Sequence, residues 1–315
     1  MPELRLPSPV ERIELAGLSL NIKRDDLIHP MISGNKWRKL KYHLQAYRAS
    51  NKEGMLSFGG PHSNHLAALA ALGAREGIST HALVRGEEEV DNPTLRFCRA
   101  QGMKVEKISR KDYRFRDDPE FRKLLQLRLP KLMLIPEGGK GPEGVRGIVD
   151  LASEIDEEFE TIVCSSGTGT TAAGLLLAFP KARICTFSAL KGGSFLKKAI
   201  LTQALATAEK YFTADRVKNT DAARLIVYDN YHFGGYAKST PQLIEFMNDF
   251  YRAEAVKLDP VYTAKMFFGL REEIKAGRWP ANSRTLVIHS GGLQGVAAMN
   301  QKLRKRGLST IVYEN

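Results

Sequence analysis

The sequence has few of the residues that mark an extracellular or membrane protein. Only three cysteines occur in 315 residues, Cys98, Cys164 and Cys185, and no C-x-x-C pair is present, which argues against a disulfide framework or a cysteine-rich metal site. No apolar run reaches the roughly 18 residues that a membrane-spanning helix needs. The first 15 residues also lack a basic segment followed by an apolar one. The sequence therefore predicts a cytoplasmic protein with reduced, buried thiols and no membrane partner.

The chain has an excess of basic residues, but these do not form a concentrated patch in the sequence. Lys and Arg number 47 against 35 Asp and Glu, a formal net charge of +12. Such an excess is compatible with nucleic acid, an acidic lipid surface or a phosphorylated small molecule as a partner. The basic residues are interspersed with acidic ones, however, and the densest cluster, KLRKRG at 302–307, is short and has no interleaved aromatic residues. We therefore expect no nucleic-acid partner and interpret these residues as solvated helix faces.

Short β-rich apolar runs alternate with helical segments along most of the chain. Runs such as GMLSFGG, TIVCSSG and TLVIHSGG each end in small residues and precede a segment of helical character. This alternation is typical of βαβ units in a parallel sheet with helices on both faces, and there are too many units for one sheet. The sequence predicts an α/β fold with two open, twisted, mostly parallel sheets flanked by helices. The charged segment 112–131 interrupts the alternation and is predicted to be a helical excursion or a mobile flap.

A turn rich in glycine and threonine follows the apolar run at 161–166. Backbone N–H groups at a helix start, together with threonine hydroxyls, form a site suited to an anion. The residues of this predicted phosphate site are Gly167, Thr168, Gly169, Thr170 and Thr171. The pattern G-x-G-x-x-A also fits the loose dinucleotide fingerprint, but the next predicted strand ends TFSALKGG and lacks the acid that would hold a ribose. The single phosphate of a small cofactor fits the turn better, and a purely structural turn is the alternative.

A second turn, GGPHSNH at 59–65, also connects a predicted strand to a helix. Ser63 or Asn64 could cap the helix, and free N–H groups at this end could equally bind a substrate carboxylate. His62 and His65 have a spacing that could suit a metal pair. No carboxylate or third ligand lies nearby in the sequence, so we expect no metal.

Lys36 lies in SGNKWRKLKY, in the first turn of a predicted basic helix, where the helix dipole disfavours a cation. Together with GGPHSNHLAA and SSGTGTTAAG, this stretch resembles enzymes of the tryptophan synthase β type (fold type II) that depend on pyridoxal 5'-phosphate (PLP). The resemblance is to the family of 1-aminocyclopropane-1-carboxylate (ACC) deaminase and D-cysteine desulfhydrase in particular, and it extends from IKRDDLIHP to VIHSGGLQG. It implies PLP as cofactor, a large PLP-binding domain at 1–45 and 160–315, a small α/β domain at 46–159, and a homodimer.

The resemblance also implies which residues bind the cofactor. Lys36 would form the Schiff base with PLP, which requires a neutral amine, and its pKa would be lowered by the helix start and the nearby cofactor. Asn35 would bind the phenolic oxygen of PLP, and the turn at 167–171 would hold the phosphate. Arg38 and Lys39 are predicted to be ordinary surface charges.

Further residues are implied on the substrate side of the site. Ser63 and Asn64 would bind the substrate carboxylate and place a hydroxyl near the reacting carbon, with His62 at a position that is often Gln in the family. Tyr262 in LDPVYTAK and Tyr236 in HFGGYAK match the two tyrosines of the family. A phenol near a cationic cofactor shares a proton more readily, so either tyrosine could act in acid/base catalysis.

Thr263 and Ser290 bear on which reaction is catalysed. The resemblance implies that ACC deaminases have Glu and Leu at these two positions, whereas D-cysteine desulfhydrases have hydroxyl residues there. This chain has hydroxyl residues at both positions. A hydroxyl such as Ser290 near the pyridine nitrogen of PLP favours its neutral form, a shallower electron sink that suffices for loss of an α-proton and a thiolate. The sequence therefore predicts α,β-elimination from a small amino acid, D-cysteine first, giving pyruvate, ammonia and sulfide. The alternatives are ACC deaminase, a D-serine ammonia-lyase or racemase, a PLP-binding protein without activity and, less well matched, a nucleotide-dependent oxidoreductase.

Overall fold

Both predicted sheets are present in the structure, a computed structural model that describes residues 2–32, 34–87, 92–213 and 220–313. The strands are Val10–Leu15 (β1), Leu18–Lys23 (β2), Gly54–Gly59 (β3), Ser79–Arg85 (β4), Lys104–Ile108 (β5), Leu132–Ile135 (β6), Thr161–Ser166 (β7), Arg183–Ser188 (β8), Leu225–Tyr228 (β9) and Thr285–Ile288 (β10). The α-helices are Asn35–Arg48 (α1), Asn64–Glu76 (α2), Pro93–Ala100 (α3), Arg110–Tyr113 (α4), Pro119–Arg128 (α5), Pro142–Val149 (α6), Thr170–Ala178 (α7), Leu196–Tyr211 (α8), Pro241–Glu254 (α9), Thr263–Lys275 (α10) and Gly295–Arg304 (α11). The predicted fold class is confirmed.

The strand order brings distant parts of the chain together. The larger sheet has the order β1-β2-β10-β7-β8-β9, in which the β1–β2 pair is antiparallel and the other pairs are parallel. The smaller sheet, β5-β4-β3-β6, is parallel throughout. Thr285 of β10 pairs with Thr161 of β7, so Ser290 and the glycine-rich turn leave the same edge of the larger sheet side by side. Ligands of open α/β sheets bind at such carboxyl-terminal edges.

Strand β7 and helix α7 form the centre of the larger sheet's core. All six residues of β7 and all nine of α7 are buried, which explains why both segments are continuously small or apolar instead of alternating. A Cβ on Gly174 would lie 2.4 Å from Cβ of Ile148, so α7 and α6 approach each other closely. The turn between β7 and α7 is therefore mounted on rigid elements.

Helix α1, which carries Lys36, is fixed by buried ionic contacts. Arg38 is only 3% exposed and donates hydrogen bonds to Asp25 at 2.7 Å and Glu154 at 2.8 Å. The amine of Lys23, itself fully buried, lies 3.0 Å from Glu154. Although burial alone would raise it, these cations hold the pKa of Glu154 at about 2. The prediction that Arg38 is a surface charge is wrong, because Arg38 is buried in ion pairs with carboxylates from two other parts of the chain.

The charged segment 112–131 lies beside the smaller sheet. Helix α4 ends at Tyr113, which is buried, and α5 has no buried residue. Asp118 accepts a hydrogen bond from the backbone N–H of Phe121 and so caps α5. The helical alternative predicted for this segment is therefore correct.

None of the helices in the described ranges is long and apolar enough to cross a membrane. The four strands of the smaller sheet fall between residues 54 and 135, inside the segment expected to form a small domain. The boundaries near residues 45 and 160 and the homodimer stay predictions.

Candidate active site

A cavity of about 990 Å³ lies where β3, β6, β7 and β10 end. Most of the residues predicted for the site line it, namely Asn35, Lys36, Ser63, Asn64, Gly167, Thr168, Gly169, Thr171, Tyr236, Tyr262 and Ser290. Thr170 lies directly beneath the wall and is fully buried. His62 is exposed and is not among the lining residues, so its role in substrate binding stays a prediction without geometric support.

The start of α1 places Lys36 against the larger sheet. Gly34 has a φ of 62°, and a Cβ at this position would lie 1.8 Å from the carbonyl oxygen of Ser290, so only glycine permits the approach. The backbone N–H of Asn35 donates to that same oxygen at 3.2 Å. The amide of Asn35 then links two predicted site residues, because its oxygen accepts from Lys36 Nζ at 2.9 Å and its nitrogen donates to Thr171 Oγ1 at 3.0 Å.

Burial lowers the pKa of the Lys36 amine. The cavity wall encloses this group and lowers its pKa to about 8, although the carboxylate of Asp259 acts in the opposite direction. A substantial fraction of the amine is thus neutral near pH 8 and able to act as a nucleophile or a base. The sequence attributed such a shift to the helix start and the cofactor, whereas in the structure burial is its main cause.

The turn between β7 and α7 is braced by a residue that the sequence did not indicate. Gln203 of α8 donates to the carbonyl of Thr168 at 2.7 Å and accepts from the hydroxyl of Thr170 at 2.9 Å. The hydroxyls of Thr168 and Thr170 lie 3.0 Å apart. Gly169 has a φ of 81°, a conformation that residues with a Cβ rarely adopt. A Cβ at this position would also lie 2.6 Å from Ile200, so both the backbone conformation and the packing require glycine. The turn is held open as a preformed cradle of N–H groups and hydroxyls.

Lys39 is a second lysine of the cavity wall and not the surface charge that was predicted. It is 4% exposed and lines the cavity, and in the described ranges its amine has no hydrogen-bonding or ionic partner. Burial and the nearby Lys36 lower the pKa of Lys39 well below its ordinary value. A buried amine without a partner is costly, so this one suits an anion that binds in the cavity. Its i,i+3 spacing from Lys36 was the signal that could have identified it, since such residues share a helix face.

The Ser-Asn turn performs the predicted structural role and also faces the cavity. Ser63 caps α2 by accepting a hydrogen bond from the N–H of Leu66 at 3.2 Å. Asn64 donates to the carbonyl of Gly292, near the end of β10, at 3.3 Å. The N-terminus of α2 thus points into the cavity, as required for binding a carboxylate.

The two tyrosines lie against each other on one side of the cavity. Their ring centroids are 6.0 Å apart in an edge-to-face arrangement. Enclosure raises the pKa of Tyr262 well above its ordinary value, so this phenol stays protonated. The acid/base role suggested by the sequence depends on a cationic cofactor beside the ring, and it stays a prediction.

The loop that carries Tyr236 has an unfavourable backbone conformation and is clamped by a buried lysine. Ala237 has a φ of 53°, which is uncommon for a residue with a Cβ. Lys265 of α10 donates to the carbonyls of His232 at 2.8 Å and Gly235 at 2.7 Å. Burial lowers the pKa of Lys265 to about 8. Neither contact was predictable from local sequence.

The two hydroxyl residues that bear on the reaction have different surroundings. Thr263 is fully buried and bonded to Asp259 Oδ2 at 3.0 Å, and it does not line the cavity. Ser290 does line it, with its hydroxyl 3.5 Å from that of Ser165. Of the two, Ser290 is the one available to a ligand.

Comparison with known proteins identifies the class of enzyme. A family model described as pyridoxal-phosphate dependent enzyme matches residues 3–291. The chain belongs to this family. Because members use PLP, the cofactor inferred from the resemblance is confirmed.

Individual relatives narrow the family further. A putative ACC deaminase of Pyrococcus furiosus is 31% identical to the enzyme over 303 residues, covering 92% of this chain and 89% of the relative. A mitochondrial bifunctional D-cysteine desulfhydrase/ACC deaminase of Arabidopsis thaliana is 28% identical over 321 residues, covering 92% and 77%. A crystal structure of an ACC deaminase homologue superimposes with a TM-score of 0.80 at 27% identity and covers 96% of this chain and 95% of that one. The enzyme is thus a member of the ACC deaminase and D-cysteine desulfhydrase family.

The residues of the cavity fit the cofactor. The N–H groups and hydroxyls of the cradle at 167–171 suit a phosphate, and the amine of Lys39 in the same cavity would help to balance its charge. A Cβ on Gly167 would lie 3.0 Å from the ring of Tyr262, so glycine keeps this wall free for a flat ligand. Lys36 supplies the amine that would bind the aldehyde of PLP.

Proposed function

We propose that the enzyme catalyses α,β-elimination from a small D-amino acid, with D-cysteine as the foremost substrate. The observation that carries the proposal is the Lys36 amine, with its pKa near 8, in the same cavity as a helix N-terminus suited to a carboxylate. Cysteine and one water molecule would give pyruvate, ammonia and hydrogen sulfide. PLP, when bound, withdraws electrons from the α-carbon and so makes its proton removable.

Lys36 would first hold the cofactor and then act as the base. The neutral amine of Lys36 would be able to accept the α-proton of a substrate bound in the cavity. The hydrogen bond to Asn35 keeps the amine near the cavity wall. Asn35 is in turn fixed by Thr171, so the position of the base is set by the larger sheet.

The start of α2 would orient the substrate. The hydroxyl of Ser63 and the N–H groups of the first turn can bind the α-carboxylate, and the helix dipole favours the negative charge. Asn64 is anchored to Gly292, which fixes the turn relative to the opposite wall. A carboxylate held here would determine which face of the α-carbon meets Lys36.

Tyr262 would donate a hydrogen bond to the departing sulfur. Its raised pKa keeps the phenol protonated, and the sulfur, a good leaving group, can depart as a thiolate that this hydrogen bond stabilises. Tyr236 packs edge-to-face against Tyr262 and lies at the mouth of the cavity, with 42% of its surface exposed. It would support the donor and limit the entry of water.

Ser290 favours elimination over opening of the cyclopropane ring. The acids that line the cavity within the described ranges are Asp117 and Glu137, and both pair with basic side chains. The resemblance implies that the hydroxyl of Ser290 would lie near the cofactor's ring nitrogen, where it would favour the neutral form. ACC has no α-proton to remove and needs a stronger electron sink than this arrangement provides.

ACC deaminase is the second candidate. It is supported by the names of relatives, which include a putative ACC deaminase of Pyrococcus furiosus and the bifunctional plant protein. In that reaction ACC and water would give 2-oxobutyrate and ammonia.

Product analysis separates the candidates. Purified enzyme loaded with PLP would be incubated with D-cysteine, L-cysteine, D-serine and ACC, and pyruvate, sulfide and 2-oxobutyrate would be measured. We expect pyruvate and sulfide in equal amounts from D-cysteine at a rate at least tenfold above that of the other substrates. Faster formation of 2-oxobutyrate from ACC would replace the proposal with the second candidate.

A further inference from the structure

The charged segment beside the smaller sheet contributes a second cavity next to the first. This cavity, of about 570 Å³, is lined by Pro61, Arg85, Gly86, Arg110, Tyr113, Arg114, Arg116 and Glu137. Four of these residues, Arg85, Tyr113, Arg116 and Glu137, also line the larger cavity. The two spaces are therefore adjacent and share a wall. We call the second one the basic annex.

Among the described residues that line it, the annex has four arginines and one acid, Glu137. Arg116 Nε lies 2.5 Å from Glu137, the acid of the annex wall. Arg110 lies 3.8 Å from Glu87 at the surface. Arg85 and Arg114, by contrast, contact no carboxylate in the parts of the chain that the structure describes. Two guanidinium groups in one concave space are thus available to an anion.

A buried tyrosine organises this cluster. Tyr113 is 4% exposed, and its hydroxyl is hydrogen-bonded to Glu137. The guanidinium carbons of Arg116 and Arg85 lie 4.7 Å and 5.8 Å from the centre of its ring. Cation–π contacts of this kind hold a guanidinium in place without using its N–H donors. Arg85 is therefore positioned while its donors stay free.

The annex lies within reach of a substrate in the larger cavity. Pro61 lines the annex, and Ser63, two residues further on, lines the larger cavity. Two residues span at most about 7 Å. A side chain of a few bonds could therefore extend from an amino acid bound at the start of α2 to the annex.

We propose that the basic annex binds a second anionic group, such as a carboxylate or sulfonate, at the end of the substrate's side chain. The proposal rests on the proposed function, because that function places the α-carboxylate at the start of α2. Arg85 and Arg114 bind the distal group. D-Cysteine is then a substrate that fits the larger cavity but leaves the annex unfilled.

Binding of amino acids that differ only in the charge of the distal group tests the proposal. The holoenzyme would be titrated with aspartate against asparagine and glutamate against glutamine, in both enantiomers, and Kd would be read from the absorbance of the bound cofactor. A charge-assisted hydrogen bond from arginine is among the stronger ones. We expect the anionic member of at least one pair to bind about tenfold more tightly. The expected loss of this preference in Arg85→Met and Arg114→Met would assign it to the annex.

Arg12→Met is the matched control, since Arg12 is an exposed arginine on β1, outside both cavities. Equal affinity within twofold in the wild type would overturn the proposal. A preference for the anionic ligand that persists in Arg85→Met and Arg114→Met would also overturn it. The same holds if Arg12→Met weakens the preference as much as the two annex variants do, because long-range attraction would then explain the preference. Because the readout is binding, failure of the elimination reaction with an intact charge preference would refute the proposed function and leave the annex assigned.

Discussion

The two walls of the cavity are built in different ways. On the side expected to hold the cofactor, the turn at 167–171 and Ser290 follow buried strands. Asn35 is hydrogen-bonded to Thr171 and to the carbonyl of Ser290, and Gln203 is hydrogen-bonded to Thr168 and Thr170. On the outer side, the charged residues of 110–140 are exposed or half-buried, and several pair with one another, as Lys140 does with Asp117. A cofactor is the same in every turnover and benefits from a rigid site. The outer wall would contact the variable part of a substrate. It is formed by exposed or half-buried charged side chains, which can be substituted without disturbing the hydrophobic core.

The largest expected effect is at the cofactor wall. Lys36→Ala removes the amine that would hold PLP and accept the α-proton, so we expect activity on the true substrate to fall by at least about 10³-fold. Retention of the far-ultraviolet circular dichroism spectrum and of the melting temperature would show that the fold is intact. The corresponding change on the outer wall, Lys140→Met, is expected to leave turnover of D-cysteine within about threefold. A Lys36→Ala enzyme with undiminished turnover would refute the assigned role.

The two walls can also be compared by how much one ionic contact in each contributes to the free energy of unfolding. Arg38 is almost fully buried between Asp25 and Glu154, and removing one partner of a buried pair costs roughly 3–5 kcal/mol. The contact between Lys140 and Asp117 is solvent-exposed in part, and such pairs contribute about 0–1 kcal/mol. Urea unfolding of Arg38→Met and Lys140→Met should show this difference. Equal losses in the two variants would contradict the distinction between the walls.

The parts of the molecule that the sequence predicts are those with a local signal. The glycine-rich turn, the cap at Ser63 and the alternation of strands and helices depend on short stretches, and the structure has all three. Arg38 and Lys39 were misjudged because their burial depends on Asp25, on Glu154 and on the enclosure of α1. The contacts of Arg38 leave no trace in the sequence of the helix, whereas the i,i+3 spacing of Lys39 from Lys36 does place these two lysines on one face.

The titration of Lys36 gives a prediction for pH. Only the neutral amine can bind the aldehyde of PLP, and burial lowers the pKa of Lys36 to about 8, below the ordinary value. The rate of cofactor capture by the apoenzyme should therefore rise by roughly 50-fold between pH 6 and pH 8 and level off above pH 9. Stopped-flow absorbance measures this rate directly. A rate that continues to rise tenfold per unit beyond pH 9 would mean that the amine has the pKa of an exposed lysine.

The smallest of these effects concerns the boundary between the walls, where Tyr236 stands at the mouth of the cavity. Lys265 holds the strained loop of Tyr236 through two backbone carbonyls, and Lys265→Met would leave those acceptors unsatisfied. We expect kcat to fall about tenfold with little change in the affinity for PLP, and Lys265→Arg to restore part of the rate. Lys275→Met, at the exposed end of the same helix, is the matched control. If Lys265→Met lost cofactor affinity and kcat together, the loop would belong to the rigid cofactor wall, whereas loss of kcat alone would place it with the outer wall that acts on the substrate.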